Sequence, residues 1–350
     1  MNKRIVMIGL ISMIVFWNVH SQQTENSQTY FKAYNLEDEN FGTQTKVIIT
    51  KDKRIMVTNA LPNHKTGVFP RKGNPNTISS QNNTYKIPLH PTWIGEPQWI
   101  REPGVAINGV KFEPGTAEVV ICDTGENYRV EAFQSLIDLG LDFNNAHVQP
   151  NGAYHYHGIP TSVVADAKDA EDLVHIGFAM DGYPIYYSKS NAYKSSYKLV
   201  KGNRAGEDCT YTNPKKTITV NVNDGHDGTY TSDFEYVAGL GDLDECNGIT
   251  IDGVYRYLVT SEFPYVSRCL MGAFEEEKRR PEVGNQQRGK GQAQRPNSMQ
   301  MLQHMDANKD GKLSKEEIKG PLQQDFSRVD SNHDGYISKE EIENALKPRP

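Results

Sequence analysis

Two twelve-residue stretches near the C-terminus, 306–317 and 330–341, follow one pattern position by position. The first carries Asp306, Asn308, Asp310, Gly311, Lys312, Ser314 and Glu317. The second carries Asp330, Asn332, Asp334, Gly335, Tyr336, Ser338 and Glu341. Side-chain oxygens at positions 1, 3 and 5, a backbone carbonyl at 7, a direct or water-mediated contact at 9 and a bidentate carboxylate at 12 make a cage for a hard cation. Glycine at position 6 permits the sharp turn that folds them inward. Chance acidic turns do not reproduce this spacing twice, so the segment is constrained to a loop pair that binds calcium.

The pattern is that of the EF-hand, and the flanks agree. Met299, Leu302 and Met305 share one face of an entering helix, as do Leu322, Phe326 and Val329 before the second loop and Ile342 and Leu346 after it. Leu313 and Ile337, each at position 8, are placed to pair across the two loops, and Gly320-Pro321 separates the hands. The reading for 298–347 is a small all-α pair.

The opposite end reads as an export signal. Asn2, Lys3 and Arg4 precede an apolar run from Ile5 to Val19, and Ser21 closes a cleavage site. The run is short of the roughly 20 residues that a spanning helix needs, so residues 1–21 are expected to be cleaved rather than retained as a stable membrane anchor. The expected location is secreted or periplasmic. There, the four cysteines Cys122, Cys209, Cys246 and Cys269 read as disulfides. Of the three possible connectivities, Cys246 with Cys269 is chosen for closeness within one β-rich stretch, which leaves Cys122 with Cys209. A net charge of −6 argues against nucleic acid as a partner.

Residues 22–45 are polar and read as a loose lead-in. Residues 46–272 hold every cysteine and nearly all the aromatics. Short apolar runs (46–50, 117–122, 217–222, 254–260) alternate with the pairs Asn108-Gly109, Asn151-Gly152, Asp181-Gly182 and Asp252-Gly253, which are hairpin signals. One helix is expected over Val130 to Leu139, where Phe133, Leu136 and Ile137 recur at helical spacing. The fold class is therefore a mainly β (α+β) central domain followed by the all-α pair. Between them, residues 273–297 are charged and Gln/Gly/Arg-rich with almost nothing to bury, and they read as a disordered linker.

The chemistry of the central domain gathers at Tyr154-His155-Tyr156-His157. On a strand, His155 and His157 share one face and can grip one ion, with His147 returning as a third ligand. Imidazole suits zinc or copper rather than calcium. The competing reading is a tyrosine-rich core strand with two hydrogen-bonded histidines. His175 and His226, the latter flanked by Asp224 and Asp227, are further candidates. Asp233, Asp242, Asp244 and Glu245 read as a hydrated acidic loop rather than a second cation site, and Trp93 and Trp99 as core packing rather than sugar-stacking platforms. No Gly-x-Ser-x-Gly, His-Glu-x-x-His, P-loop or dinucleotide fingerprint is present.

The tetrad resembles the signature of the YHYH-domain proteins. Further motifs agree in order: Ile107–Val110, Ala146–Pro150, Gly177–Tyr186, Leu243–Gly248 and Phe263–Cys269, so that the resemblance spans about residues 100–272. It implies export and a suspected metal role, but no agreed activity. Where members of that family often carry a second tetrad, this chain reads Tyr255-Arg256-Tyr257-Leu258, keeping the aromatics and losing both imidazoles.

Two functions follow. The favoured one is a secreted calcium-binding protein whose central domain binds a transition metal without catalysis. The alternative is a secreted metal-dependent hydrolase, with a metal-bound water as nucleophile. The residues identify no catalytic acid or base and no protein or carbohydrate partner.

Overall fold

Alternation in Thr43–Ile49 turns Thr43, Thr45 and Val47 inward and leaves the residues between them exposed. This strand (β2) lies between β1 (Tyr34–Asp38) and β3 (Lys53–Thr58), and β4 (Asn83–Pro88) completes an antiparallel sheet in the order β1-β2-β3-β4. Part of the segment read as a loose lead-in is thus a strand, since Tyr34–Asp38 pairs residue for residue with Thr43–Val47. The sheet's inner face joins Val47, Met56, Tyr85 and Ile87 to Val105 and Phe178 of the next sheet. Arg54, fully buried, sets its guanidinium 4.0 Å from the centroid of the Phe178 ring.

The structure is a computed structural model. It describes residues 32–122, 127–167, 171–204, 206–213 and 216–275, and, near the C-terminus, 306, 308, 310–315, 317–318, 326–332 and 334–346. The expected signal peptide over 1–21, most of the linker, the entering helix with Met299, Leu302 and Met305, and Gly320-Pro321 with Leu322 lie outside the described residues. Among the described residues, no helix is long and apolar enough to cross a membrane.

After β5 (Trp93–Trp99), the chain forms β6 (Gly104–Ala106), β7 (Lys111–Phe112), β8 (Val119–Ile121), β9 (Asn127–Arg129), β10 (Ala146–Val148) and β11 (Tyr154–Tyr156). A short helix α1 (Thr161–Asp166) leads to β12 (Leu173–Ala179), β13 (Pro184–Ser188), β14 (Tyr197–Leu199), β15 (Cys209–Asn213) and β16 (Lys216–Val220). Last come β17 (Phe234–Tyr236), β18 (Gly248–Ile251), β19 (Val254–Val259) and β20 (Cys269–Gly272). The mainly β reading holds. All four Asx-Gly pairs sit in hairpin turns, joining β6 to β7, β10 to β11, β12 to β13 and β18 to β19.

Those eight strands make one sheet in the order β10-β11-β7-β6-β12-β13-β19-β18. Its two halves are the same arrangement related by a local twofold at the β6–β12 boundary. Each half pairs two hairpins through a parallel contact, β7 with β11 and β13 with β19. The inner turns match in detail: Gly109 N–H donates to Ala106 O and Ala106 N–H to Val110 O, as Gly182 N–H donates to Ala179 O and Ala179 N–H to Tyr183 O. Both glycines have positive φ, 88° and 99°, which the turn requires. The main core packs on this sheet, with Phe112, Tyr154, Tyr156, Ile176, Tyr257 and Leu270 among its members.

A second core encloses Val120, Val130, Ile137, Leu139, Ile218 and Tyr230 beside the Cys122–Cys209 disulfide. The Cys246–Cys269 disulfide completes the pairing read from sequence. The helix expected over Val130 to Leu139 does not form. The Gln134 side chain accepts the Ile137 N–H (2.8 Å) and donates to the Ile137 carbonyl (2.9 Å), taking both main-chain groups that a helix would have used. Ile137 and Leu139 enter the second core, while Phe133 packs on Tyr265 at 4.4 Å. Apolar spacing there records burial along an irregular loop.

Trp93 and Trp99 do not pack in the core: they are 52% and 71% exposed. Their strand, β5, pairs with β20 at one edge, and Trp93 spends its contact on the Tyr255 ring at 4.8 Å. In the C-terminal segment, β21 (Leu313–Ser314) pairs with β22 (Tyr336–Ile337), matching Leu313 with Ile337. Helical turns at Phe326–Val329 and Lys339–Leu346 flank the second loop. Leu313, Ile318, Phe326, Val329, Ile337 and Ile342 form their core.

Candidate metal centre

The Asn151-Gly152 turn places β10 against β11 so that His147 faces His155 across the ladder. Gly152 has φ +86°, and a Cβ there would collide with the Ser79 side chain, so the turn admits only glycine. The two-residue strand period puts His155 and His157 on the same face as His147. The three ring centroids form an equilateral triangle, each pair 4.7 Å apart. Among the described residues this is the group of three or more metal-ligating side chains whose ligand atoms converge, all within 4.8 Å of one another.

For two of the three rings, hydrogen bonds fix which nitrogen is left for an ion. His147 Nδ1 lies 2.8 Å from Leu139 O, and His155 Nδ1 lies 3.3 Å from Ala153 O. A carbonyl only accepts, so each Nδ1 carries the proton and each Nε2 presents a lone pair. His157 Nε2 stands 3.1 Å from His147 Nε2. Tetrahedral ligation at about 2.0–2.1 Å would separate two nitrogens by about 3.3 Å, so the spacing already fits a shared ion. Burial foremost, then the neighbouring imidazoles, hold His155 and His157 well below the ordinary histidine range. Both rings are neutral at pH 7, as ligation requires. His155 and His157 are 2% and 1% exposed, whereas His147 is half-buried and opens the cluster to solvent.

The tyrosines point the other way and serve as scaffold. Tyr154 donates to Asp142 Oδ2 at 2.7 Å. Tyr156 receives the Asn108 amide at 3.0 Å and directs its own proton to His64 Nε2 at 2.7 Å. His64 Nδ1 reaches the Lys65 carbonyl at 2.9 Å. Sequence reasoning missed His64, because it precedes its partner by 92 positions and no spacing marks it. It also missed a polar group on the metal-facing side. Lys111 pairs with Glu113 (2.7 Å) and Glu102 (2.8 Å), Arg101 with Glu113 (2.7 Å), and Gln149 donates to Glu113 at 2.7 Å.

The remaining candidates fall elsewhere. His175 is half-buried in β12 against Phe178 and Tyr186, with Nε2 2.9 Å from Gly177 O; loss of solvation foremost lowers it to about 3. His226 is half-buried and bonds Gly202 O, while Asp227 pairs with Arg204 and Asp224 offers its carbonyl to the same guanidinium. The acidic group is not a hydrated loop throughout: Asp233 is fully buried against Arg204, and Asp244 accepts Tyr255 OH at 2.7 Å. Each is spent on the fold.

In the C-terminal loops, the acidic side chains fold inward onto backbone amides. Asp306 accepts Gly311 N–H at 2.9 Å and Asp330 accepts Gly335 N–H at 3.1 Å. Asp310 and Asp334 accept the amides of Lys312 and Tyr336, and Ser314 and Ser338 donate to Glu317 and Glu341 at 2.8 Å. Gly311 and Gly335 take φ +82° and +84°.

Comparison with known proteins agrees with this division. The YHYH protein family model matches residues 84–272, and the EF hand model matches residues 300–320 and 324–347. No curated protein and no solved structure shows significant similarity to the chain.

Proposed function

Because the chain belongs to the YHYH protein family over more than half its length and carries an EF-hand pair near its end, we propose that it is an exported calcium-binding protein whose central domain holds one transition-metal ion. His147, His155 and His157 are the ligands, and zinc or copper is the ion. The observation that carries this is the convergence of the three rings, with Nδ1 of His147 and of His155 turned onto carbonyls and their Nε2 atoms inward. The EF-hand pair supports calcium binding. Its ligands in this reading are Asp306, Asn308, Asp310, Lys312, Ser314 and Glu317 in the first hand, and Asp330, Asn332, Asp334, Tyr336, Ser338 and Glu341 in the second. Two disulfides are consistent with an extracellular location. Cleavage of residues 1–21 and a linker over 273–297 belong to the same proposal.

The hydrolase reading draws on one feature. Three protein ligands leave a fourth position for water, on the side where His147 meets solvent. Against it, Glu113 is engaged by Lys111, Arg101 and Gln149 and is not a free base. Binding is therefore favoured over turnover. Equilibrium dialysis of metal-stripped, full-length protein against zinc and copper tests the proposal. One tightly held ion, absent in His155→Ala/His157→Ala while calcium uptake persists, supports it. A double variant with unchanged transition-metal content returns the histidines to a purely structural role.

A further inference from the structure

The two halves of the central sheet act as an internal control, because one fold is built twice with different side chains. The scaffold recurs. Tyr154 and Tyr255 donate to Asp142 and Asp244 at 2.7 Å each. Asn145 and Asn247 adopt φ 56° and 60°, and their carbonyls accept the amides of His157 and Leu258. These contacts fix the correspondence without a gap on the site-bearing strands. The register His147↔His155 becomes Ile249↔Arg256, and His157 becomes Leu258.

On the same face, three more positions change with the histidines. His155 lies opposite Lys111 across the parallel pair, and the matching partner of Arg256 is Pro184. Glu113 is matched by Tyr186, and Gln149 by Ile251. The second half thus forms the same strands without Lys111, Glu113 or Gln149, carrying there instead Arg256, whose guanidinium lies 5.1 Å from the Tyr186 ring centroid. Such a network is not what the strand arrangement needs. Buried ion pairs are in any case weak stabilisers, often replaceable by apolar side chains at no cost. Lys111 and Glu113 are only 8% and 3% exposed, so the first half carries a costly charged group that the second half does without.

We propose that Lys111, Glu113 and Gln149 belong to the metal centre as its outer sphere, with Glu113 supplying the buried negative charge that offsets the ion and Lys111 and Gln149 holding that carboxylate in place. This rests on the reading of the histidine cluster as a metal site. Lys111 stands opposite His155 in the register, and Glu113 and Gln149 lie two residues along from Lys111 and His147, so the group shares the ligands' face. Outer-sphere groups that orient or polarise ligands typically change metal affinity 10–100-fold when replaced. Glu113 is a positioning residue here, and it touches no ion itself.

The test is titration of metal-stripped, full-length protein with cobalt(II), followed by visible absorption. Glu113→Gln keeps the shape and removes the charge, and should weaken cobalt binding about 10–100-fold. Glu113→Asp keeps the charge and should recover most of the loss, a split that a purely structural role would not produce. If Glu113→Gln fails to fold, Gln149→Leu leaves every ion pair intact and should still weaken binding about tenfold. Wild-type affinity in the variants that fold overturns the proposal and leaves the triad standing. Absence of cobalt binding by the wild-type protein overturns the triad itself.

Discussion

Asn108 and Asp181 stand at the same position in the two halves of the central sheet, yet they treat the tyrosine beside them in opposite ways. Asn108 donates its amide to Tyr156 OH at 3.0 Å, whereas Asp181 accepts the proton of Tyr257 OH at 2.6 Å. The first half therefore needs an outside acceptor, and His64 provides it. The second half needs no outside acceptor; there β20 donates instead, Met271 N–H to Tyr257 OH at 2.7 Å and Gly272 N–H to Asp181 at 3.0 Å. The half that gathers three imidazoles on one face thus also recruits a residue from the loop between β3 and β4 on its other face.

This comparison predicts that the second half can be converted. Ile249→His, Arg256→His and Leu258→His together restore the three positions that His147, His155 and His157 occupy in the first half. The variant should bind two transition-metal ions per chain instead of one, as counted by elemental analysis after dialysis. A stoichiometry that stays at one in a folded variant would show that the histidines alone do not make the site. That result would place the weight on Lys111, Glu113 and Gln149.

His175 predicts acid sensitivity in the metal-free protein. His175 is lowered to about 3, foremost by burial. An unfolded histidine takes up its proton near 6.5, so between those values the unfolded state binds more protons. The contribution is fully present above about pH 6.5 and is lost as pH falls, at up to about 1.4 kcal/mol per pH unit for one group. Asp181 works in the opposite direction. Burial raises it to about 6 against its hydrogen bonds, so it returns some stability as pH falls from about 6 towards 4. Urea denaturation should give a lower midpoint at pH 5 than at pH 7, and His175→Gln should flatten that dependence. An unchanged slope in the variant would remove His175 from the account.

The EF-hands should fail together when their twelfth positions lose charge. Burial would push Glu341 up, but hydrogen bonds from Ser338, Asn332 and Ser331 bring it down to about 2, so it is ionised at any physiological pH. Glu317→Gln with Glu341→Gln should abolish calcium binding to residues 298–347 measured by calorimetry, while the zinc titration of the central domain stays as in wild type. Wild-type calcium heats in that double variant would contradict the ligand assignment.

Much of this was legible because it rests on local rules. Asn-Gly and Asp-Gly pairs supply the positive φ that tight hairpins need, so four pairs marked four turns. Strand alternation alone put His155 beside His157, and the same turn brought His147 back to them. What escaped notice depends on distance. No spacing in the sequence marks Glu113, which is picked out only by Arg101, Lys111 and Gln149 closing over it. Leu136 and Ile137 mimic a helix face because apolar spacing cannot reveal that Gln134 will take the backbone's hydrogen bonds. Trp99 looks like core until its strand proves to be an edge.

The central claim is that His147, His155 and His157 share one ion, and X-ray absorption at the metal edge tests it most directly. Full-length protein carrying one equivalent of zinc should show three imidazole nitrogens and one further light atom at about 2.0–2.1 Å. Loss of the imidazole signal in His155→Ala/His157→Ala should follow. A shell built from oxygens alone, or one with a single imidazole, would contradict the account.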